Sequence, residues 1–256
     1  MIRSTTCRTV CCCAIWVSVW ACVWAGAGPA SAQPAAAVSL PVPELQADPA
    51  IPSIQAITGQ DWAAHITSHA ELERYLDALV KAAPDRMKLE RYGESYEGRG
   101  LYYLVISSAE NMQRLEEIRQ AHLQLAESPL PPGDQGASAI AQLPAIVWLA
   151  ASVHGNELSS TEAALLAAYH LLADQGPATR QLLERLVILV DPLQNPDGRA
   201  RFLSVYSESR GRFDSSHPLA TERVERWPGG RFNHYLFDLN RDWFLQSQQE
   251  SRYKVR

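Results

Sequence analysis

A run of mostly apolar residues at positions 143–153 ends directly at the segment His154-Gly155-Asn156-Glu157. An alanine- and leucine-rich helical pattern, Leu158–Ala173, begins immediately after this segment. A short continuous apolar run predicts a strand that is buried on both faces. A buried strand that passes at once into a helix is typical of α/β proteins, whose helices connect neighbouring strands.

Patterns elsewhere in the chain support this fold class. Residues 68–83 show apolar side chains at helical spacing, with Ser68 and Glu71 as a capping box and Pro84 directly after. Further helical patterns occupy residues 109–126 and 178–186, strand patterns occupy residues 87–92, 101–106, 145–151 and 187–191, and residues 128–142 have the composition of a loop. We predict an α/β fold with a mostly parallel mixed sheet flanked by helices.

Two polar segments follow predicted strands. His154 follows the first, and Asn195-Pro196-Asp197-Gly198 follows the next. Ligand sites in α/β sheets gather at the carboxyl ends of strands, so we expect both segments to face one crevice. Asn-Pro and Asp-Gly are turn formers, so the second segment is interpreted as a turn that ends its strand, and residues 204–227 as an irregular surface excursion.

His154 and Glu157 are candidate metal ligands. An imidazole and a carboxylate three residues apart, where a strand becomes a helix, can both reach one tetrahedral Zn²⁺ and leave other positions open. The alternative interpretation is a surface loop in which Glu157 caps the helix, because a histidine and a glutamate at this spacing also occur by chance.

The N-terminus has the features of a secretory signal. Arg3 and Arg8 flank an apolar stretch at residues 10–24, and small residues with Ala30-Ser31-Ala32 follow. We therefore predict a signal at residues 1–32 and export to a periplasmic or extracellular compartment. A membrane anchor and lipid attachment at Cys22 are the alternatives; the apolar stretch is short for a bilayer span.

The rest of the chain contains no cysteine, since the five cysteines, Cys7, Cys11, Cys12, Cys13 and Cys22, all lie in the predicted signal. Disulfides and cysteine ligands are thereby excluded from the exported form. Removing Arg3 and Arg8 from the 23 basic residues leaves 21 against 28 acidic ones, a formal net charge of about −7. A mildly acidic chain without a basic stripe is a poor nucleic-acid binder.

Three segments are predicted in the chain. Residues 33–56, rich in alanine and proline, are interpreted as an extended leader between the signal and the first packed element, with folding expected to begin near Gly59. Residues 57–256 are the predicted folded domain.

Four separated strings now stand in order along that domain: residues 95–99 (Ser-Tyr-Glu-Gly-Arg), 154–157 (His-Gly-Asn-Glu), 195–198 (Asn-Pro-Asp-Gly) and 229–243, which begins Gly-Gly-Arg-Phe-Asn and ends Asp-Leu-Asn-Arg-Asp-Trp. Together they resemble the zinc metallocarboxypeptidases of the A/B and N/E/D types, above all the N/E/D type and related exported bacterial enzymes. The resemblance covers roughly residues 60–256.

The resemblance implies roles for six residues. His154 and Glu157 match the first two zinc ligands, and Asp238 matches the carboxylate that accepts the other ring N–H of the zinc-bound histidine. Arg231 matches the arginine that polarises the scissile carbonyl. Asn240 and Arg241 match the pair that binds the terminal carboxylate of a peptide or protein substrate. The implied cofactor is Zn²⁺, and no stable membrane span is expected after signal removal.

Other parts of the family pattern have no match in this sequence. The family uses a second histidine as a further zinc ligand and a glutamate general base, both late in its domain. We therefore expect this sequence to be the N-terminal portion of a carboxypeptidase domain, and we expect residues 33–256 alone to self-associate through open sheet edges.

The predicted function is zinc-dependent release of C-terminal amino acids from peptides. Two alternatives stay open at this point. One is a zinc deacylase of the aspartoacylase or desuccinylase type, which shares the histidine-glutamate and Asn-Arg strings. The other is a protein that binds peptide C-termini through Asn240 and Arg241 without catalysis.

Overall fold

The computed structural model describes residues 45–127, 140–213 and 215–255. The predicted signal and most of the predicted loop at residues 128–142 lie outside these ranges. Helices α1 to α8 have the bounds Ile54–Thr58, His69–Ala82, Ala109–Gln113, Leu115–Glu127, Leu158–Ala173, Pro177–Arg185, Pro196–Ser209 and Gln249–Lys254. Strands β1 to β4 have the bounds Met87–Glu94, Gly100–Ile106, Ala145–Ala150 and Leu186–Asp191. Thr221–Arg223 and Leu239–Arg241 form short 3-10 helices.

The strands form a mixed sheet in the order β1-β2-β4-β3. β3 and β4 are parallel and are connected by α5 and α6, whereas β1 pairs with β2, and β2 with β4, in antiparallel fashion. The predicted α/β fold with a mixed sheet is confirmed. Within the described residues only one of the three pairings is parallel, so the expected predominance of parallel strands is not seen. The reason is that the β1-β2 hairpin enters the sheet antiparallel to β4.

Helices cover both faces of the sheet. Leu104 and Ile106 of β2 point into the larger core, which they share with α2 and α5. Val105, between them in sequence, points to the other face and packs with Ile118 of α4. Alternate residues of one strand are thus buried on opposite faces, and each fully buried aliphatic side chain contributes roughly 1.5–3 kcal/mol. No helix in the described ranges has the length and hydropathy that crossing a membrane requires.

Helix α2 forms as the sequence predicts. The Ser68 hydroxyl accepts a hydrogen bond from the Glu71 amide, and the Glu71 carboxylate accepts one from the Ser68 amide at 2.8 Å. This capping box satisfies two amides that the first helical turn leaves unpaired. The local sequence is therefore sufficient to set the start of this helix.

Packing begins earlier than the sequence predicts. Ile51 and Ile54 are 3% and 2% exposed and belong to the larger core. The Asp48 amide also donates to the Ala173 carbonyl at 2.7 Å, which ties this segment to the end of α5. The predicted leader boundary at residue 56 is therefore too late. Isolated isoleucines among alanines and prolines show no periodicity, so their burial could not be predicted from the sequence.

Helix α7 differs from its prediction. Residues 195–198 do not form a turn at the rim; Asn195 caps the helix through a 2.9 Å hydrogen bond from the Gly198 amide to its side chain. Pro196 occupies the first helical turn, where its missing N–H costs nothing. The helix continues to Ser209, into the segment predicted as an irregular excursion. The sequence did not predict this helix because Gly198 disfavours helix and the apolar residues show only weak helical spacing.

Strand β3 is in place, but it is not buried. Ile146, Trp148 and Leu149 are 44%, 46% and 41% exposed. β3 is the last strand in the sheet order, and within the described residues no strand pairs with its outer edge. Apolar residues on both faces predict burial on both faces, but the covering elements are not supplied by the described part of the chain.

A buried arginine connects two helices and the segment before a third. The Arg199 side chain is 1% exposed, and its Nη2 donates to Glu162 Oε1 at 2.6 Å. Its Nε donates to the Thr67 carbonyl at 3.0 Å, while the Glu162 carboxylate also accepts from the Thr67 amide and hydroxyl. Because both charges are paired and hydrogen-bonded, this network fixes α7 against α5 and the segment before α2.

The outer edge of β3, which is unpaired within the described residues, predicts self-association. Residues 33–256 expressed alone should sediment as oligomers or aggregates, because unpaired backbone groups beside exposed apolar side chains favour strand-to-strand pairing. Ile146→Lys should shift the population toward monomer in analytical ultracentrifugation. Leu219→Lys, at an exposed site away from the sheet, adds the same charge and should leave the association unchanged. A monomeric wild-type chain with a cooperative thermal melt would contradict this expectation.

Candidate active site

Close backbone contacts bring three of the sequence strings together. A Cβ atom on Gly155 would lie 2.1 Å from the Arg199 amide nitrogen, and one on Gly198 would lie 2.4 Å from the Gly230 carbonyl oxygen. Real Cβ atoms do not approach backbone atoms this closely, so glycine is required at both positions. The segments that carry His154 and Arg231 therefore meet at the first turn of α7.

The His154 imidazole lies between two carboxylates. His154 follows β3 and is 4% exposed; its Nδ1 is 2.8 Å from Glu157 Oε1, and its Nε2 is 3.0 Å from Asp238 Oδ1. Glu157 stands at the N-cap of α5, but its side chain makes no capping hydrogen bond. The alternative in which Glu157 caps the helix is therefore not what the structure shows.

Asp238 connects the His154 imidazole to Arg231. Its Oδ2 accepts hydrogen bonds from Arg231 Nη2 at 2.9 Å and Nε at 3.2 Å, and its Oδ1 accepts from the Asn240 amide at 2.9 Å. Partial burial raises the pKa of Asp238, but the hydrogen bonds from His154 and Arg231 outweigh it, so this pKa lies below its usual value. Asp238 is thus held as a carboxylate.

The contact with Asp238 selects one tautomer of a neutral His154 imidazole. When Nε2 carries the proton donated to Asp238, the Nδ1 lone pair faces Glu157 Oε1 at 2.8 Å. Two acceptors at this distance repel each other unless a proton or a cation lies between them. The arrangement therefore has the chemistry of a cation half-site whose histidine tautomer is fixed by Asp238.

Asn240 and Arg241 lie on the same loop as Asp238 but point to solvent. Both are exposed, and the Arg241 Nη1 donates to the Asn240 carbonyl at 3.0 Å. In the part of the chain described, neither side chain forms a hydrogen bond with His154 or Glu157. Arg231 is 41% exposed and keeps contact with the site through Asp238. The structure thus brings His154, Glu157, Asp238 and Arg231 together and leaves the Asn240-Arg241 pair at the surface beside them.

The string at residues 95–99 has a partner that the sequence did not indicate. Asp197 is buried and accepts hydrogen bonds from the Ser95 hydroxyl at 2.6 Å, the Glu97 amide at 3.2 Å and Arg99 Nη1 at 2.7 Å. The string at residues 95–99 is therefore anchored on α7. Asp197 was interpreted as part of a turn, and nothing in its own neighbourhood reveals a partner about 100 positions earlier.

Glu97 of the same turn, Asp197 of α7 and His234 form a cluster of potential ligand atoms. His234 Nδ1 is 3.0 Å from Glu97 Oε1. Arg99 Nη1 forms ion pairs with both carboxylates, so a guanidinium already supplies the positive charge that a cation would bring. We therefore regard the cluster as a structural tie between the turn and the loop that carries Arg231.

Asp191, the last residue of β4, is a second buried carboxylate. Burial raises the pKa of Asp191 to about 7, although Lys254 and the hydroxyl of Tyr92 act in the opposite direction. Burial likewise lowers the pKa of Lys254 to about 8. Lys254 Nζ donates to Gln194 Oε1 at 2.7 Å, and the Gln194 side chain donates to the Ala151 carbonyl. This group supports the loop between β3 and His154 and was missed because its members look ordinary in sequence.

Comparison with known proteins identifies the family of this chain. The family model described as zinc carboxypeptidase matches residues 72–255. The match covers well over half of the chain, so the chain belongs to the zinc carboxypeptidase family, as the four strings predicted. Sequence relatives include Carboxypeptidase D from Homo sapiens, 29% identical over 136 residues, and Carboxypeptidase D from Mus musculus, 28% identical over 136 residues.

These matches are partial. Each covers 52% of this chain and 8% of the Carboxypeptidase D protein. The solved structure of carboxypeptidase A from Helicoverpa armigera is 17% identical, with 74% of this chain and 41% of that chain covered and a TM-score of 0.43. The chain therefore spans a small part of its curated relatives and less than half of that solved structure.

The contacts of Asp238 predict a pH-dependent contribution to stability. Its pKa is below the usual value of 3.8 in the folded chain, so its stabilising contribution is complete above about pH 3.8 and is lost as the pH falls through the folded pKa. Asp238→Asn should therefore lower the free energy of unfolding more at pH 7 than at pH 3, measured by urea denaturation with chelator present. Asp85→Asn, at an exposed position, is the control. Equal destabilisation by Asp238→Asn at both pH values would rule out this account.

Proposed function

We propose that this chain carries the metal-binding and substrate-binding groups of a metallocarboxypeptidase, which removes C-terminal amino acids from peptides. The observation that carries the proposal is the position of the His154 imidazole between the Glu157 and Asp238 carboxylates, with Arg231 bonded to Asp238. Membership of the zinc carboxypeptidase family supports the same activity.

The donor atoms suit Zn²⁺. An imidazole nitrogen and a carboxylate oxygen are common zinc ligands, and their 2.8 Å separation is short enough for one ion to contact both. Asp238 would hold the imidazole in the tautomer that leaves Nδ1 free for the metal. When bound, Zn²⁺ would supply Lewis-acid polarisation of the scissile carbonyl and of a water molecule. Two protein ligands hold zinc more weakly than three, so we expect modest affinity from these residues alone.

Arg231 is placed to stabilise negative charge on the substrate. Its Nε and Nη2 are engaged by Asp238, which fixes the guanidinium plane and leaves Nη1 for a ligand. A fixed cation beside the reacting carbonyl favours the developing oxyanion over the neutral ground state. Its partial exposure is consistent with access for a peptide.

Asn240 and Arg241 would bind the terminal carboxylate of the substrate. Arg241 is exposed and uses Nη1 for the Asn240 carbonyl, so other N–H groups of its planar guanidinium face solvent. A guanidinium can donate two parallel hydrogen bonds to one carboxylate. This interaction would select chain ends over internal peptide bonds.

The proposal can be tested by measuring the affinity of the purified chain for Zn²⁺ and for peptides. Equilibrium dialysis should show that the purified chain binds Zn²⁺ and that His154→Ala and Glu157→Gln each weaken binding at least about tenfold, since each removes one of two ligands. His217→Ala, at an exposed histidine outside the site, should not change it. The zinc-loaded chain should bind peptides with a free C-terminal carboxylate better than their amides, and Arg241→Ala should abolish that preference.

Two outcomes would replace the proposal. Cleavage of N-acylated amino acids but not of peptides would favour the deacylase. Peptide binding that persists in chelator, without release of an amino acid, would favour a non-catalytic binder. Zinc affinity unchanged by His154→Ala would exclude the half-site itself.

We also propose that the chain is exported, on the strength of the basic residues, apolar stretch and Ala30-Ser31-Ala32 at its N-terminus. Expression of the full chain in a bacterial host should yield a protein that begins at Gln33 in the periplasm or medium, as measured by intact mass. An uncleaved N-terminus in the cytoplasmic fraction would refute export by this signal.

A further inference from the structure

A cavity of about 450 Å³ lies beside the candidate active site. Its inner wall is apolar and consists of Ile66, Leu158, Phe202, Val205 and Tyr206. The facing wall is the polypeptide between Thr221 and Gly229, which includes the short 3-10 helix. This volume is within the range of cavities that hold small ligands or large side chains.

The cavity and the candidate site share their border. Leu158, in the cavity wall, directly follows Glu157, and Gly229, in the opposite wall, is two residues from Arg231. Glu225 joins the two sides: its carboxylate accepts both hydrogen bonds from the Asn156 side chain, at 2.9 and 3.1 Å, and one from the Gly230 amide at 2.7 Å. The cavity therefore begins where the metal half-site and Arg231 end.

Three of the four charged residues of the facing wall, Glu222, Arg223 and Glu225, are engaged within the protein, and the fourth, Arg226, is exposed. Glu225 accepts the three hydrogen bonds just described, and Glu222 accepts one from the Ser215 amide. Arg223 Nε donates to the Ser215 carbonyl at 2.7 Å. What remains for an occupant is mainly the apolar wall, with the half-buried rings of Phe202 and Tyr206 stacked nearly parallel at 6.4 Å. Such a wall binds aromatic or large aliphatic groups.

Asn240 and Arg241 are not among the residues that line the cavity. With the terminal carboxylate at these two residues and the scissile carbonyl between the metal half-site and Arg231, the part of the peptide before the scissile bond has the cavity beside it. The reason is that Leu158 and Gly229 of the cavity walls adjoin Glu157 and Arg231 in the chain. Resting on the proposed function, we infer that the cavity binds an aromatic or large aliphatic side chain of the peptide substrate, upstream of the scissile bond.

Two peptide pools test this inference on the zinc-loaded chain. Both consist of N-acetylated tetrapeptides with a randomised C-terminal residue; one has Phe and the other Ala at the three preceding positions. Burial of one aromatic side chain should make the Phe pool bind roughly tenfold more tightly or better, measured by ultrafiltration and mass spectrometry. Because the C-terminal residue is randomised equally, its own specificity does not affect the ratio.

Variants of α7 identify the cavity as the source of the preference. Val205→Trp fills the cavity and should reduce the Phe-to-Ala affinity ratio to about one, with the Ala pool unaffected. Ser207→Trp, on the exposed side of the same helix, is the matched control and should retain the ratio. Should Val205→Trp fail to fold by circular dichroism, Tyr206→Ala, which removes one ring of the wall, should lower the ratio instead.

The outcomes separate this inference from the proposed function. Equal binding of both pools to the wild-type chain, or a ratio unchanged in Val205→Trp and Tyr206→Ala, overturns the cavity assignment and leaves the proposed function standing. Binding of neither pool overturns the proposed function and this inference with it. Arg241→Ala should weaken both pools alike, because the terminal carboxylate is common to them.

Discussion

The contact of three glycine-containing backbones is the constraint on which the rest of the site depends. Gly155, Gly198 and Gly230 pack where a side chain on any of them would collide with a neighbouring main chain or side chain. This contact holds the end of β3, the first turn of α7 and the loop before Arg231 within one small volume. The strand and helix termini then determine where each side chain points, since their backbones cannot shift without breaking the contact.

Within that volume, Asp238 determines what the polar groups can do. One of its oxygens faces the His154 imidazole and the other is engaged by Arg231, so one carboxylate sets the tautomer of a potential ligand and the orientation of a potential oxyanion-stabilising cation. The second carboxylate, Glu157, is more exposed and lies against the other imidazole nitrogen. The difference in burial separates their roles: the shielded carboxylate orients the ring, and the exposed one is accessible to a metal ion.

The two sides of the sheet differ in how well helices cover them. On the β1-β2 side, apolar residues of both faces are covered by α2, α5 and α4, and the buried Arg199 network connects α5 to α7. On the β3 side, Trp148 packs against Trp243 at 5.8 Å, yet the strand stays largely exposed within the described residues. His154 follows this less protected strand, and its position is maintained by contacts to α7 and to the loop of Asp238 more than by burial of β3.

The sequence by itself determined the features that depend on residues close together in the chain. The capping box of Ser68 and Glu71, the β1-β2 hairpin and the start of α5 after Glu157 all follow from residues close together in the chain, and the four ordered strings identified the family. Only the tertiary structure decided which segments meet. The contact of Ser95 with Asp197 spans 102 positions, and the neighbours of neither residue indicate its partner. The contact of His154 with Asp238 spans 84 positions and was implied by the family resemblance, not by the residues next to either one.

The burial of Ile51 and the exposure of Trp148 were also decided at this level, because periodicity reports how apolar a segment is, whereas burial depends on which other segment covers it.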